Sequence, residues 1–142
     1  MKIINTLFRY WESIILALGI LYLSFAPPST FQGVPSFSYE DKLVHLLLYA
    51  GLTCVLIFDF RRYAKNNKTN TLGFVSVCLV FPVFLGGLVE ILQPMYFAPR
   101  TGEWSDLLSD ILGTLLGLLV MYLLRLMPKT TNKTSKQSKQ PK

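Results

Sequence analysis

The sequence predicts an all-α fold, an integral membrane four-helix bundle, and three observations carry that expectation. Apolar residues are gathered into four blocks instead of being scattered along the chain. Only 15% of the 142 residues are charged and 51% are hydrophobic, whereas an average soluble domain is about 25% charged. Basic residues also alternate between connections. Lys2 and Arg9 open the chain, Arg61, Arg62, Lys65 and Lys68 lie around the second connection, and Arg125 and the lysines from Lys129 to Lys142 close it. The connections at 27–42 and 93–106 are slightly acidic. The positive-inside rule gives this pattern for four spans in a cell membrane with both termini cytoplasmic. The net charge of +6 therefore reads as topology and contact with anionic lipid, not as nucleic-acid binding.

One domain is expected over residues 1–127, with spans at about 8–27, 40–59, 72–92 and 106–127, followed by a disordered, basic, cytoplasmic tail at 128–142. The last two apolar blocks reach about 20 residues, enough to cross roughly 30 Å of hydrocarbon. The first span resembles a signal peptide, because Ser24-Phe25-Ala26 places small residues where a peptidase cuts. Pro27 just after that point and Glu12 beside the apolar run count against cleavage. An uncleaved helix is expected, with Phe8, Tyr10 and Trp11 as an aromatic belt and Pro27-Pro28 as its stop.

The second span opens with Ser38 three residues before Asp41, a capping pattern. Asp41, His45 and Tyr49 recur at i, i+4 and i+8, on one face. In the third span, Pro82 and Gly86-Gly87 predict a kink and room for a neighbouring backbone. Glu90 and Gln93 follow near its outer end. The fourth span starts near Ser105 or Asp106. Asp106, Asp110, Gly113 and Gly117 share one face, and Gly113-x-x-x-Gly117 is a small-residue packing motif. Cys54 and Cys78 stand alone in different blocks and read as small apolar core residues. The tail has too few apolar residues to fold.

Topology and spacing together place Asp41, Lys42, His45, Glu90, Gln93, Arg100, Glu103, Asp106 and Asp110 at one outer level, and no matching set is expected in the cytoplasmic half. Asp41 and Asp106 suit helix starts, where a carboxylate meets free N–H groups and the positive dipole end. Arg100 could pair with a lipid phosphate and His45 with a carbonyl. Glu90 and Asp110 are harder to explain in this way. A carboxylate in hydrocarbon costs on the order of 2.5–3.5 kcal/mol even on insertion scales, so it faces inward, pairs and marks function.

Three functional readings follow. His45, Glu90, Asp106 and Asp110 are the catalytic candidates of a proton-transfer or nucleophile site. The same four could hold a divalent cation, because one imidazole with three carboxylates fits Zn or Mn, although only Asp41 sits at local spacing from His45; no cofactor is otherwise expected. In the third, Lys42, Arg100 and two helix N-termini hold an anionic head group, with Asp41, Tyr49 and Gln93 as further binding candidates. The expected partners are membrane lipids and a lipid-linked cell-wall or envelope component. A structural bundle locked by its polar residues is the competing class. No G-x-S-x-G, H-E-x-x-H or phosphate-binding loop is present.

These residues carry a resemblance. Asp41-Lys42-x-x-His45-x-x-x-Tyr49, Glu90-x-x-Gln93, and Arg100 followed by Asp106-x-x-x-Asp110-x-x-Gly113-x-x-x-Gly117 resemble the pattern of the VanZ-like family of small bacterial membrane proteins, over about residues 27–120. The family usually has Asn where this chain has Asp110. The resemblance implies a role in the bacterial envelope, and the family's founding role is low-level resistance to the glycopeptide teicoplanin. The leading expectation is an envelope protein that engages a lipid-linked or anionic surface component, with Lys42 and Arg100 on the anion and Glu90 and His45 moving any proton. An enzyme that modifies such a component is the alternative.

Overall fold

The computed structural model describes residues 8–26, 40–96 and 103–130. Helix α1 (Trp11–Phe25) is entered through a 3-10 turn at Phe8–Tyr10. Helix α2 covers Glu40–Ala64. Helix α3 runs in three pieces, Thr71–Val75, a π turn at Ser76–Val80, and Phe81–Tyr96. Helix α4 covers Trp104–Leu123. The described residues contain no strand, and all four helices are long and apolar enough to cross a membrane. The protein is an all-α four-helix bundle.

Local chemistry sets the ends of these helices. The Asn70 side chain caps α3 by accepting from the Gly73 N–H at 2.9 Å. Pro82 has no N–H, and its ring crowds the carbonyl four residues back. The helix absorbs it as a π turn, in which the Phe81 N–H reaches back to the Ser76 carbonyl. The irregularity expected at Pro82 therefore lies in the turn before it. Helix α4 stops at Leu123, although apolar residues continue to Met127. Arg125 takes a left-handed φ of 55°, the Arg125 N–H bonds the Tyr122 carbonyl and the Leu126 N–H bonds the Met121 carbonyl, each at 2.9 Å. This is a Schellman closure with arginine in the position glycine favours.

The helices alternate up and down. Helices α2 and α4 make the most extensive contact, α3 packs on α4, and α1 on α2. A Cβ built at Gly113 would collide with the Leu46 carbonyl, and one at Gly117 would lie 2.6 Å from the Ala50 carbonyl. These glycines let the α2 and α4 backbones approach, which matters in lipid because helix association there depends on close packing more than on the hydrophobic effect. Tyr49, Leu52, Ile57, Cys78 and Met121 fill the interior, while Phe84, Ile91, Leu119 and Leu123 stay exposed on an apolar exterior suited to acyl chains.

The bundle's two ends differ. Of the eight acidic residues, Glu40, Asp41, Glu90, Glu103, Asp106 and Asp110 lie at one end, called here the acidic end. No matching set was expected at the opposite end, which holds a smaller polar group of a different kind. Asp59 is fully buried there. It accepts from the Ser13 hydroxyl at 2.7 Å and the Ser13 N–H at 3.2 Å, and it pairs with Arg62, which also meets Glu12 at 3.2 Å. Helix α1 has no side-chain cap of its own, so a carboxylate from α2 satisfies one of its free N–H groups. These bonds also explain why α2 continues past residue 59 to Ala64.

Gly113→Val is expected to lower stability by about 2 kcal/mol or more, because overpacking at a backbone contact forces the helices apart. Gly19→Ala, whose Cβ would meet nothing within 4 Å, serves as the control and should not lower it. Thermal unfolding of the purified protein in detergent separates the two. Equal behaviour of the variants would contradict the close α2–α4 approach.

Candidate functional site

The α2–α4 contact builds the site. The i, i+4, i+8 spacing of Asp41, His45 and Tyr49 on α2, and of Asp106 and Asp110 on α4, brings these side chains to the seam between the two helices. His45 Nδ1 lies 2.8 Å from Asp110 Oδ1. Asp110 is 0% exposed and His45 8%. The Tyr49 ring is fully buried and stacks parallel to the imidazole, with centroids 6.3 Å apart. Helix α3 closes the third side. A Cβ at Gly86 would strike the Asp110 carboxylate, while one at Gly87 would meet only Leu107 at 3.9 Å. The Gly86-Gly87 pair was expected to admit a neighbouring backbone. What it admits instead is the Asp110 side chain, because α4 presents a carboxylate at this level.

Nearer the end of the bundle, Lys42 Nζ lies 3.0 Å from Glu103 Oε2 and 3.2 Å from Asp106 Oδ1. The Lys42 ammonium, with the Ser105 hydroxyl, holds the Glu103 carboxyl below the usual carboxylate range. Glu90 Oε2 accepts from the Glu103 N–H at 2.8 Å. Glu103 is the N-cap residue of α4 and makes no side-chain cap bond. Glu90 thus does from α3 what the glutamate at the third helical residue of a capping box does within its own helix.

The structure brings Asp41, Lys42, His45, Tyr49, Glu90, Asp106 and Asp110 together. Lys42, expected to hold an anion, already has two carboxylate partners. Asp106, expected at a helix start, lies in the first turn of α4 and bonds Lys42. Gln93 turns away, because its amide donates to the Ser24 carbonyl of α1 at 3.0 Å. Arg100 lies outside the described residues, as does Ser38 of the expected cap. Glu103 was placed at this level by sequence but not among the candidates, yet it links Lys42, Ser105 and Glu90. Its position three residues before Asp106, at the foot of an apolar run, was the available signal.

Several buried polar atoms here have no partner: Asp110 Oδ2, Glu90 Oε1 and the Tyr49 hydroxyl, with the Thr114 and Thr53 hydroxyls deeper in the same seam. Two sets of ligand-type atoms lie within 4.8 Å of one another, one from Asp41, His45 and Asp106, the other from His45, Glu90 and Asp110. A carboxylate on Nδ1 selects the tautomer that leaves Nε2 free as a base. The arrangement can therefore handle a proton, accept hydrogen bonds from a ligand or surround a cation. No family model, curated protein or solved structure matches this chain.

A double-mutant cycle tests the Gly86–Asp110 contact. Gly86→Ala alone should cost about 1–3 kcal/mol as an overpacked site. In an Asp110→Ala background most of that cost should vanish, giving a coupling of at least about 0.5 kcal/mol. Purely additive losses in thermal unfolding would show that the carboxylate does not sit over Gly86.

Proposed function

We propose that this protein is a VanZ-like integral membrane protein of a bacterial cell envelope, with both termini cytoplasmic, whose acidic end engages the polar head of a lipid-linked envelope component at the outer leaflet. One observation carries this reading. Asp110 Oδ2, Glu90 Oε1 and the Tyr49 hydroxyl are buried together without partners. Each such group costs about 1–3 kcal/mol, and a ligand that supplies hydrogen-bond donors recovers that cost. The exposed apolar faces of α3 and α4, with Ile91 and Leu108 beside the site, suit the acyl part of the same ligand. The distribution of basic residues supports the orientation. Engaging or altering such a component changes what reaches the cell wall, in line with a role in teicoplanin-type glycopeptide resistance.

A second reading, an enzyme that modifies the same component, is favoured by the His45–Asp110 pair. Asp110 on Nδ1 holds the ring, and Nε2 serves as the general base toward water or a ligand hydroxyl.

Mass spectrometry of envelope lipids and cell-wall precursors decides between these readings, in cells expressing the wild type, Glu90→Gln or His45→Ala. Both variants should remain at normal membrane abundance. A binding role predicts that precursor levels and teicoplanin susceptibility revert to those of cells lacking the gene. An enzyme predicts loss of a chemically modified species. Unchanged abundance with an unchanged envelope would refute both, and loss of abundance alone would identify a structural lock. Cysteines introduced into the connection at 93–106 should react with an impermeant label from outside intact cells; labelling only after lysis would reverse the orientation.

A further inference from the structure

The head-group reading leaves a charge problem. Among the described residues, six acidic groups gather at this end, and Lys42 is already matched by Glu103 and Asp106. Glu90 and Asp110 approach each other from different helices in surroundings of low dielectric, where two carboxylates repel unless a proton or a cation stands between them. An anionic head group would add to that repulsion.

We propose that His45, Glu90 and Asp110 are the protein ligands of one divalent first-row cation, Mn(II) or Zn(II), held at the meeting point of α2, α3 and α4. One ligand atom from each residue lies within 4.8 Å of the other two. Bonds of about 2.0–2.2 Å to such an ion place neighbouring ligands about 2.9–3.5 Å apart. His45 Nδ1 and Asp110 Oδ1 are at 2.8 Å already, so rotation of the Glu90 carboxylate supplies most of the remaining closure. Glu90 Oε1 and Asp110 Oδ2 have no other partner, which leaves both carboxylates an oxygen to give. The alternative set is less suited, because Asp41 is exposed and Asp106 is taken by Lys42.

An independent feature points the same way. The Tyr49 hydroxyl is not part of the ligand set, is 0% exposed and has no partner. The Tyr49 ring stacks on the imidazole of the ligand His45, with centroids 6.3 Å apart. Three protein ligands leave an open position on the ion, and a water there gives this hydroxyl its missing bond. The donor set fixes the class of ion. One imidazole with two carboxylates suits Mn(II) and Zn(II), whereas Ca(II) takes six to eight oxygens and Mg(II) keeps most of its waters.

This inference rests on the same centre being the working site and gives it a means of accepting an anion. The bound ion offsets the carboxylates and offers its open position to a head-group oxygen.

The test uses the full chain, purified in detergent without a polyhistidine tag and stripped with EDTA. It is titrated with Mn(II) by electron paramagnetic resonance and with Zn(II) in competition. The expected result is one ion per chain. Glu90→Gln and Asp110→Asn, on different helices, should each weaken binding by at least about tenfold, with the helical circular dichroism retained. Glu12→Gln, at the opposite end, should bind as the wild type does. Absence of binding by either ion above a detergent blank overturns the proposal, as does binding that survives both substitutions. Should one variant fail to fold, the other decides. An ion bound without any envelope change retains this inference and removes the head-group reading; an envelope change without an ion does the reverse.

Discussion

The rest of the structure depends on the closeness of α2 and α4. Their backbones meet where Gly113 and Gly117 face the Leu46 and Ala50 carbonyls. A side chain at either glycine would hold the helices apart, and His45 would no longer reach Asp110 at 2.8 Å. Apolar burial gives little reason for two helices to associate in lipid, so close packing and interhelical hydrogen bonds must supply it. In this bundle the two sources lie on the same face. The residues that permit the approach are one and two turns from the carboxylate that uses it.

At each end of the bundle a carboxylate from one helix satisfies the N-terminus of another. Glu90 of α3 accepts the Glu103 N–H at the start of α4, and Asp59 of α2 accepts the Ser13 N–H at the start of α1. Neither α1 nor α4 has an N-cap side-chain bond of its own. Free N–H groups near hydrocarbon are costly, and these bonds remove two of them while tying helices together. The two carboxylates differ in what remains to them. Asp59 is met on both oxygens, by Ser13 and Arg62. Glu90 spends Oε2 on the cap and keeps Oε1 buried and unbonded. Asp59 therefore has both oxygens bonded, although Arg62 Nε beside it is buried without a partner, while the acidic end keeps carboxylate oxygens for a partner.

The fold was legible because its determinants are periodic. Block length marked the spans, and the spacing of Asp106, Asp110, Gly113 and Gly117 marked the face of α4 that packs. The level of His45, Glu90 and Asp110 followed from alternating topology. What depends on rotation about a helix axis did not follow. Gln93 sits one turn from Glu90, yet it faces α1, because three residues rotate the side chain by about 60° off register. Asp59 was hidden by its neighbours: beside Arg61 and Arg62 it reads as an exposed charge at a helix end, and only the arrival of Ser13 and Glu12 from α1 shows it buried. Gly86 gave the right sign of crowding and the wrong group. The stop at Leu123 was hidden for another reason, since an apolar run predicts continuation and the left-handed Arg125 has no signature that glycine would have given.

Asp110 concentrates the functional question. An asparagine could still bond His45 Nδ1 and fit over Gly86, because it has the same shape. Packing therefore does not require the acid. What the carboxylate adds is charge, placed at full burial against a second carboxylate and an imidazole, and that charge is costly in hydrocarbon. A structural lock would work as well or better with the neutral amide. The cost is offset where a proton neutralises a carboxyl, where the imidazolium form of His45 meets it, or where a cation is shared with Glu90. Among the described residues, Lys42 is engaged with Glu103 and Asp106 instead of Glu90. A divalent ion would compensate both carboxylates at once, with no proton on either.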